Sequence, residues 1–186
     1  KFGGHRTLGF CVSQKHADFM AAFFTRHDVE ARAVHAGKTS SPRVASLEAL
    51  EEGRLPVLFA VDLFNEGVDV KAIDTVLMLR PTETRIVYLQ QLGRGLRRAD
   101  GKDHLRVIDY IGNHRSFLTK VCALLGLEVG TDAEIRLAMH RLAAGELGLP
   151  RGCEVTYELE AREMLESLLR ETPGAEDVRR WYEVFK

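Results

Sequence analysis

Two runs of this chain, residues 56–61 (PVLFAV) and 74–79 (DTVLML), are apolar almost from end to end. A strand with one face in water alternates apolar and polar residues, so a strand without alternation has both faces covered. Residues 7–12 (TLGFCV), 29–35 (VEARAVH) and 104–110 (HLRVIDY) read as three more strands. Helical periods separate them. Residues 16–27 place Ala17, Met20, Phe23 and Phe24 on one face. Residues 42–52 read as a helix with Ser41 as N-cap, Pro42 at the first helical position and Gly53 as C-cap. Residues 83–98 read as another. Covered strands separated by helices imply an α/β fold, a parallel sheet with helices on both faces. Ligands of such sheets sit at the carboxyl ends of the strands.

After Gly112 the pattern is helical only. Residues 115–126 and 131–145 carry apolar stripes, with Ile135, Ala138, Met139 and Leu142 at helical spacing. Residues 146–156 read as a linker. Helices over 157–170 and 175–185 follow, separated by Thr172-Pro173-Gly174. The expected organisation is an α/β domain over 1–114 and a helical extension over 115–186. The stripe Ala161, Met164, Leu165 and Leu168 is expected to pack on the chain's own domain. Neither an internal repeat nor a low-complexity tract interrupts this order.

The chain has 186 residues, 26 Lys and Arg against 27 Asp and Glu, and 45% hydrophobic residues. That balance excludes disorder as the main state and argues against a polybasic nucleic-acid binder. The neutral total conceals an asymmetry: residues 85–106 carry six Lys or Arg against two acids, while residues 154–186 carry nine acids against five Lys or Arg. No apolar run approaches the roughly 18–20 residues of a membrane span, so no membrane partner is expected. Cys11, Cys122 and Cys153 form neither a zinc pattern nor a disulfide framework, which points to a reducing, cytoplasmic setting. No signal peptide is legible, and the first residue is Lys1 rather than Met. The chain is therefore expected to be part of something longer, with half of any active site elsewhere.

Three segments could carry chemistry. His35-Ala36-Gly37-Lys38-Thr39 ends in Gly-Lys-Thr after a strand, like a phosphate-binding loop. Such a loop needs a second glycine five positions earlier, where Arg32 stands, and a helix opening at the Lys-Thr. An ordinary loop is the expectation. The second segment is Tyr88 to Arg98 (YLQQLGRGLRR). On a helix Gln90, Arg94 and Arg97 share one face, and Leu89, Leu92 and Leu96 another. Planar guanidinium groups suit phosphate oxygens. Gly93 and Gly95 cost about 1 kcal/mol each inside a helix, which implies a close approach at that spot. A merely solvated basic face is the competing reading. The third segment, Ala60 to Val70, leaves the carboxyl end of a strand with Asp62, Asn65, Glu66 and Asp69 crowded around Gly67. It can equally be an ordinary loop in which Asp and Asn bond their own backbone.

These pieces, in this order, resemble the second, C-terminal RecA-like domain of superfamily two DEAD/DEAH-type helicases over about residues 7–115. Gln90 to Arg97 matches the family's Q-x-x-G-R-x-x-R helix. Asn65-Glu66-Gly67-Val68-Asp69 resembles the preceding loop, Leu8 to Ser13 the first strand, and His35 with Ser40, Ser41 and Arg43 the next strand-to-helix segment. The closest likeness is to bacterial type III restriction Res-like helicases with an extra C-terminal region.

The resemblance implies a RecA-like fold and a set of roles. Arg94 and Arg97 would be arginine fingers on the γ-phosphate of ATP, and Gln90 would order the same site. Gly67 and Asp69 would couple nucleotide state to strand grip. Ser13, Arg43 and Asp62 would lie near a nucleic-acid backbone, DNA being favoured over RNA. Many members carry Thr where Val61 stands, and Val61 cannot make that hydroxyl's phosphate contact. The chain has no G-x-x-x-x-G-K-[ST] loop and no DExx sequence after an apolar strand. ATP and Mg2+ would thus be held mainly by an N-terminal RecA-like domain of the same polypeptide; no metal ligand is expected here. The implied function is the C-terminal half of an ATP-dependent helicase or translocase, the fragment alone being inactive. A non-catalytic RecA-like module that binds a partner is the alternative. A self-contained nucleotide site at Gly37-Lys38-Thr39 is a third, weaker reading.

Overall fold

The structure, a computed structural model, describes residues 5–61, 71–80, 90, 93, 102–110, 116–124, 131–144, 146, 154–156 and 158–170. The chain divides into two compact units, Lys1–Tyr110 and Ile111–Lys186.

The first unit is built on five parallel strands: β1 (Thr7–Phe10), β2 (Ala31–Val34), β3 (Val57–Ala60), β4 (Thr75–Met78) and β5 (Arg106–Asp109). Their order across the sheet is β2-β3-β1-β4-β5. β1, β3 and β4 are buried at every position, which is why these segments read as apolar without alternation. The register aligns Val34, Ala60, Phe10, Met78 and Asp109 in one row across the carboxyl edge. β5 lies at the sheet's edge, and its Val107 and Ile108 remain partly exposed.

Among the described residues, α1 (Gln14–Arg26) and α2 (Arg43–Glu51) flank the sheet. β1 to β2 crosses the sheet in one direction and β2 to β3 returns, so right-handed crossovers put α1 and α2 on opposite faces. α1 buries Ala17 and Ala21, with Met20 and Phe24 partly covered, against Cys11, Ala33, Val57, Phe59 and Leu77. Phe23, expected in that face, is 40% exposed. A step of about 100° per residue carries position 23 past the flank once 17, 21 and 24 point inward. Gly9 makes room for this layer. A Cβ there would stand 2.5 Å from the Phe59 ring, and that ring meets Phe24 edge-on at 5.1 Å.

The start of α2 differs from expectation by one position. Pro42, at ψ 119, is the N-cap and Arg43 the first helical residue. Ser41 is drawn back toward the sheet because its N–H donates to the Ala33 carbonyl at 2.8 Å, so it is not the cap. At the other end Glu52 is the C-cap, and Gly53 follows it with φ 76, a left-handed conformation that glycine adopts without steric cost.

The second unit holds α3 (Ser116–Leu124), α4 (Asp132–Ala143) and α5 (Leu159–Arg170). Leu118, Val121, Ile135, Met139, Leu165, Leu168 and Leu169 share one core. The α5 stripe is thus rotated from the expected one: Met164 is exposed and Leu169 is buried. Thr131 opens α4 with a capping box, its hydroxyl accepting from the Glu134 N–H while the Glu134 carboxylate accepts from the Thr131 N–H. The expected helix over 175–185 lies outside the described residues.

Candidate nucleic-acid interface at the carboxyl edge

Parallel strands deliver their connections to the same edge. The three neighbouring strands β2, β3 and β1 therefore bring together the segments after Val34, Ala60 and Phe10. Two helices begin there. Ser13 caps α1 by accepting the His16 N–H on its hydroxyl oxygen at 3.2 Å. α2 begins on Pro42 without any side-chain cap. Neither helix has an acidic residue in its first turn. Acids commonly stand at those positions because they meet the positive end of the helix dipole. Here no acid stands in either first turn, and Lys15 lies in that of α1 and Arg43 in that of α2. Backbone N–H groups at a helix N-terminus, with nearby cations, form a ready anion site.

The loop between β2 and α2 is held rigidly. The His35 side chain is fully buried, and its Nε2 lies 2.9 Å from Asp18 Oδ1. Its Nδ1 accepts the Gly37 N–H at 3.0 Å, so the proton sits on Nε2 and is donated to the carboxylate. Thr39 donates its hydroxyl to the other Asp18 oxygen at 2.7 Å. These two hydrogen bonds, that from His35 first, hold the Asp18 carboxyl below the usual carboxylate range. Ser40 accepts the His35 N–H and donates to the Ser41 carbonyl. Gly37 is packed so closely that a Cβ would meet the Gln14 amide at 2.3 Å. The Gly37-Lys38-Thr39 segment is thus a turn pinned to α1. The helix after it opens only at Arg43, which fits the ordinary-loop reading.

Of the expected site residues, Ser13 and Arg43 come to this edge. So does Val61, whose N–H donates to the Val34 carbonyl at 3.2 Å while its side chain packs on the α1 core. Gln90 is helical and exposed. Gly93, also helical and exposed, has open space where its Cβ would stand; among the described residues nothing makes the close approach expected there. Asp62, Gly67, Asp69, Arg94 and Arg97 lie outside the described residues. Sequence reading missed Asp18 and Thr39. Asp18 joins His35 across 17 residues and Thr39 across 21, and no local pattern marks such a pairing. Among the described residues no cluster of His, Cys, Asp and Glu could hold a metal ion, and no helix is long and apolar enough to cross a membrane.

Comparison with known proteins agrees with this fold. Residues 2–99 match the helicase conserved C-terminal domain. IRC3 of Saccharomyces cerevisiae, named as an ATP-dependent helicase, is 31% identical over 121 residues, covering 65% of this chain and 18% of that protein. The ATP-dependent RNA helicase drs1 of Botryotinia fuckeliana is 29% identical over 92 residues, 50% of this chain and 12% of that one. The chain thus spans less than a fifth of the length of these relatives. The C-terminal domain of the DEAD-box protein Dbp5 superposes with a TM-score of 0.57 at 14% identity, over 90% of this chain and 83% of that one. The Escherichia coli DEAD-box protein SrmB, solved bound to regulator of ribonuclease activity A, superposes with a TM-score of 0.52 at 19% identity, over 61% and 65%. Both likenesses bear on the fold, which is RecA-like. With the family match covering more than half of its residues, the chain belongs to the helicase conserved C-terminal domain family.

Proposed function

We propose that this chain is the C-terminal half of an ATP-dependent nucleic-acid helicase or translocase. The observation that carries the reading is the pair of helix N-termini at the carboxyl edge, both without acids in their first turns and both with a cation there. Two helix N-termini at one edge of the sheet suit phosphates of a single strand that crosses that edge. Ser13, Arg43 and Asp62 are assigned to that track. Ser13 keeps its hydroxyl proton for a phosphate oxygen, since the oxygen serves as acceptor within α1. Val61 offers only its backbone. DNA was the substrate favoured from sequence. Relatives named as RNA helicases give that preference no support, and single-stranded RNA is tested on equal terms.

Arg94 and Arg97 are assigned as arginine fingers, Gln90 as a residue that orders the same site, and Gly67 and Asp69 as the coupling between nucleotide and strand. The open space at Gly93 supports a face that another domain approaches. That domain, an N-terminal RecA-like domain of the same polypeptide, would hold ATP and Mg2+. The metal would neutralise charge on the phosphates there, and this chain's guanidiniums would add positive charge from the opposite side. A reducing, cytoplasmic setting fits the free thiol of Cys11. Likeness to Res-type helicases in particular remains part of this proposal.

The test is ATP turnover by a polypeptide carrying this chain together with the residues encoded upstream, with and without single-stranded RNA or DNA. Stimulation by either strand is the expected result. Turnover indifferent to both would overturn the reading.

A further inference from the structure

The outward side of α1 carries a row that neither the core nor the carboxyl edge uses. Phe19 is 56% exposed and Phe23 40% exposed. Their rings lie 6.1 Å apart and nearly parallel, and the His27 ring closes on Phe23 at 4.4 Å. His27 is fixed there by its Nδ1, 2.8 Å from the Phe23 carbonyl. Spacing of four residues keeps the three rings on one stripe. Lys15 and Arg26 stand beside the stripe, one near each end of the helix, Lys15 being the cation that also borders the carboxyl edge. Arg26 donates to its own Ala22 carbonyl, and neither cation meets a carboxylate among the described residues. The one acid within α1, Asp18, is already engaged by His35 and Thr39. Single exposed apolar residues need no explanation, whereas a contiguous aromatic row flanked by unpaired cations marks a contact surface.

We propose that this face docks an acidic amphipathic segment of a partner protein, apolar side chains seated on Phe19 and Phe23 and carboxylates facing Lys15 and Arg26. Charge complementarity selects an acidic partner over a basic one. Two observations select a protein over a nucleic acid. A base needs an open ring face to stack on; Phe23 has Phe19 on one side and His27 on the other, which leaves a single ring, Phe19, with an outer face open and no run of platforms for successive bases. The row also runs away from the carboxyl edge: Phe23 lies about 15 Å along the axis from Ser13, at 1.5 Å per residue.

The experiment uses the 186-residue chain and a short labelled peptide with Leu and Phe on one helical face and Glu on the other, followed by fluorescence polarisation. A second peptide carries Lys in place of every Glu. The Glu peptide is expected to bind at least roughly tenfold more tightly than the Lys peptide, and roughly tenfold more weakly to Phe19→Ser, an exposed position whose change leaves the circular dichroism intact. Lys15→Glu with Arg26→Glu should weaken it further and reduce its salt dependence. Equal binding of the two peptides, no binding, or binding unchanged in these variants would overturn the proposal. So would an oligouridine or oligothymidine strand that loses affinity in Phe19→Ser, which makes the row a nucleic-acid contact. Self-association lost in Phe19→Ser would overturn it as well, by making the occupant a second copy of the chain.

Discussion

His35 Nε2 and Asp18 Oδ1 lie 2.9 Å apart across 17 residues of sequence, joining the end of β2 to the first half of α1. The imidazole is wholly buried and the carboxylate about one-third exposed. Removing the carboxylate leaves a buried N–H without an acceptor. Asp18→Ala should therefore cost about 1–3 kcal/mol in urea denaturation, and Asp18→Asn, which keeps an oxygen in place, less. The folded carboxyl titrates below its unfolded value, so its contribution is full above the unfolded pKa of about 4 and is lost as pH falls through the lower folded one. The variants should accordingly lose part of the wild-type stability difference between neutral pH and pH values below the usual carboxylate range.

Gly9 sits against the ring of Phe59, and a methyl group there would come within 2.5 Å of its Cδ1 edge. Both residues belong to the sheet core. Gly9→Ala should destabilise the fold by about 1–3 kcal/mol through overpacking. Adding Phe59→Leu, which makes space, should recover part of the loss in a double-mutant cycle. Additive losses would show that the two sites do not meet.

In the longer polypeptide, Arg94→Ala and Arg97→Ala should each lower kcat by about 10³-fold or more with KM for ATP changed much less, as for groups that meet charge developing in the transition state. The 186-residue chain alone should show no turnover above background. Wild-type kcat in both variants would remove the finger assignment, and robust turnover by the short chain would remove the shared site.

Arg43 opens α2 at the carboxyl edge. Arg43→Ala should weaken single-strand binding across all sequences alike and reduce the slope of log K against log salt by about 0.7, one phosphate contact for a single strand. A loss confined to one sequence would instead indicate base reading.

Cys11 is completely buried on the α1 face of the sheet, and burial pushes its thiol up to about 12. A thiolate is the reacting species. In native protein at pH 8 Cys11 should stay unmodified by a disulfide reagent while Cys122, half-buried on α3, reacts. Titration of Cys11 should track global unfolding in urea. Fast native-state modification, located by peptide mapping, would contradict this placement.

The parallel sheet was legible because burial on both faces removes polar residues from a strand altogether: β3 and β4 have no other reading. Helix limits were legible to within one or two residues, since α1 and α2 repeat at helical period. Caps were less so. Ser41 reads as a cap from sequence, and only the pull of the Ala33 carbonyl on its N–H makes it part of the loop instead. The Phe23 error has the same origin: a stripe four residues wide does not say which of its margins faces the sheet.

The one-dimensional order of apolar runs, glycines and the Gln90-to-Arg97 motif sufficed for the fold class and the family, because both are encoded in local periodicity and short spacing. The strand order and the row of Val34, Ala60, Phe10, Met78 and Asp109 exist only in three dimensions. So do the Asp18–His35–Thr39 knot and the side of α1 on which Phe19, Phe23 and His27 stand open. Each is a contact between segments far apart in sequence, or a choice between two faces of one helix. Such contacts are set by packing energy summed over the whole core, which no window of neighbouring residues contains.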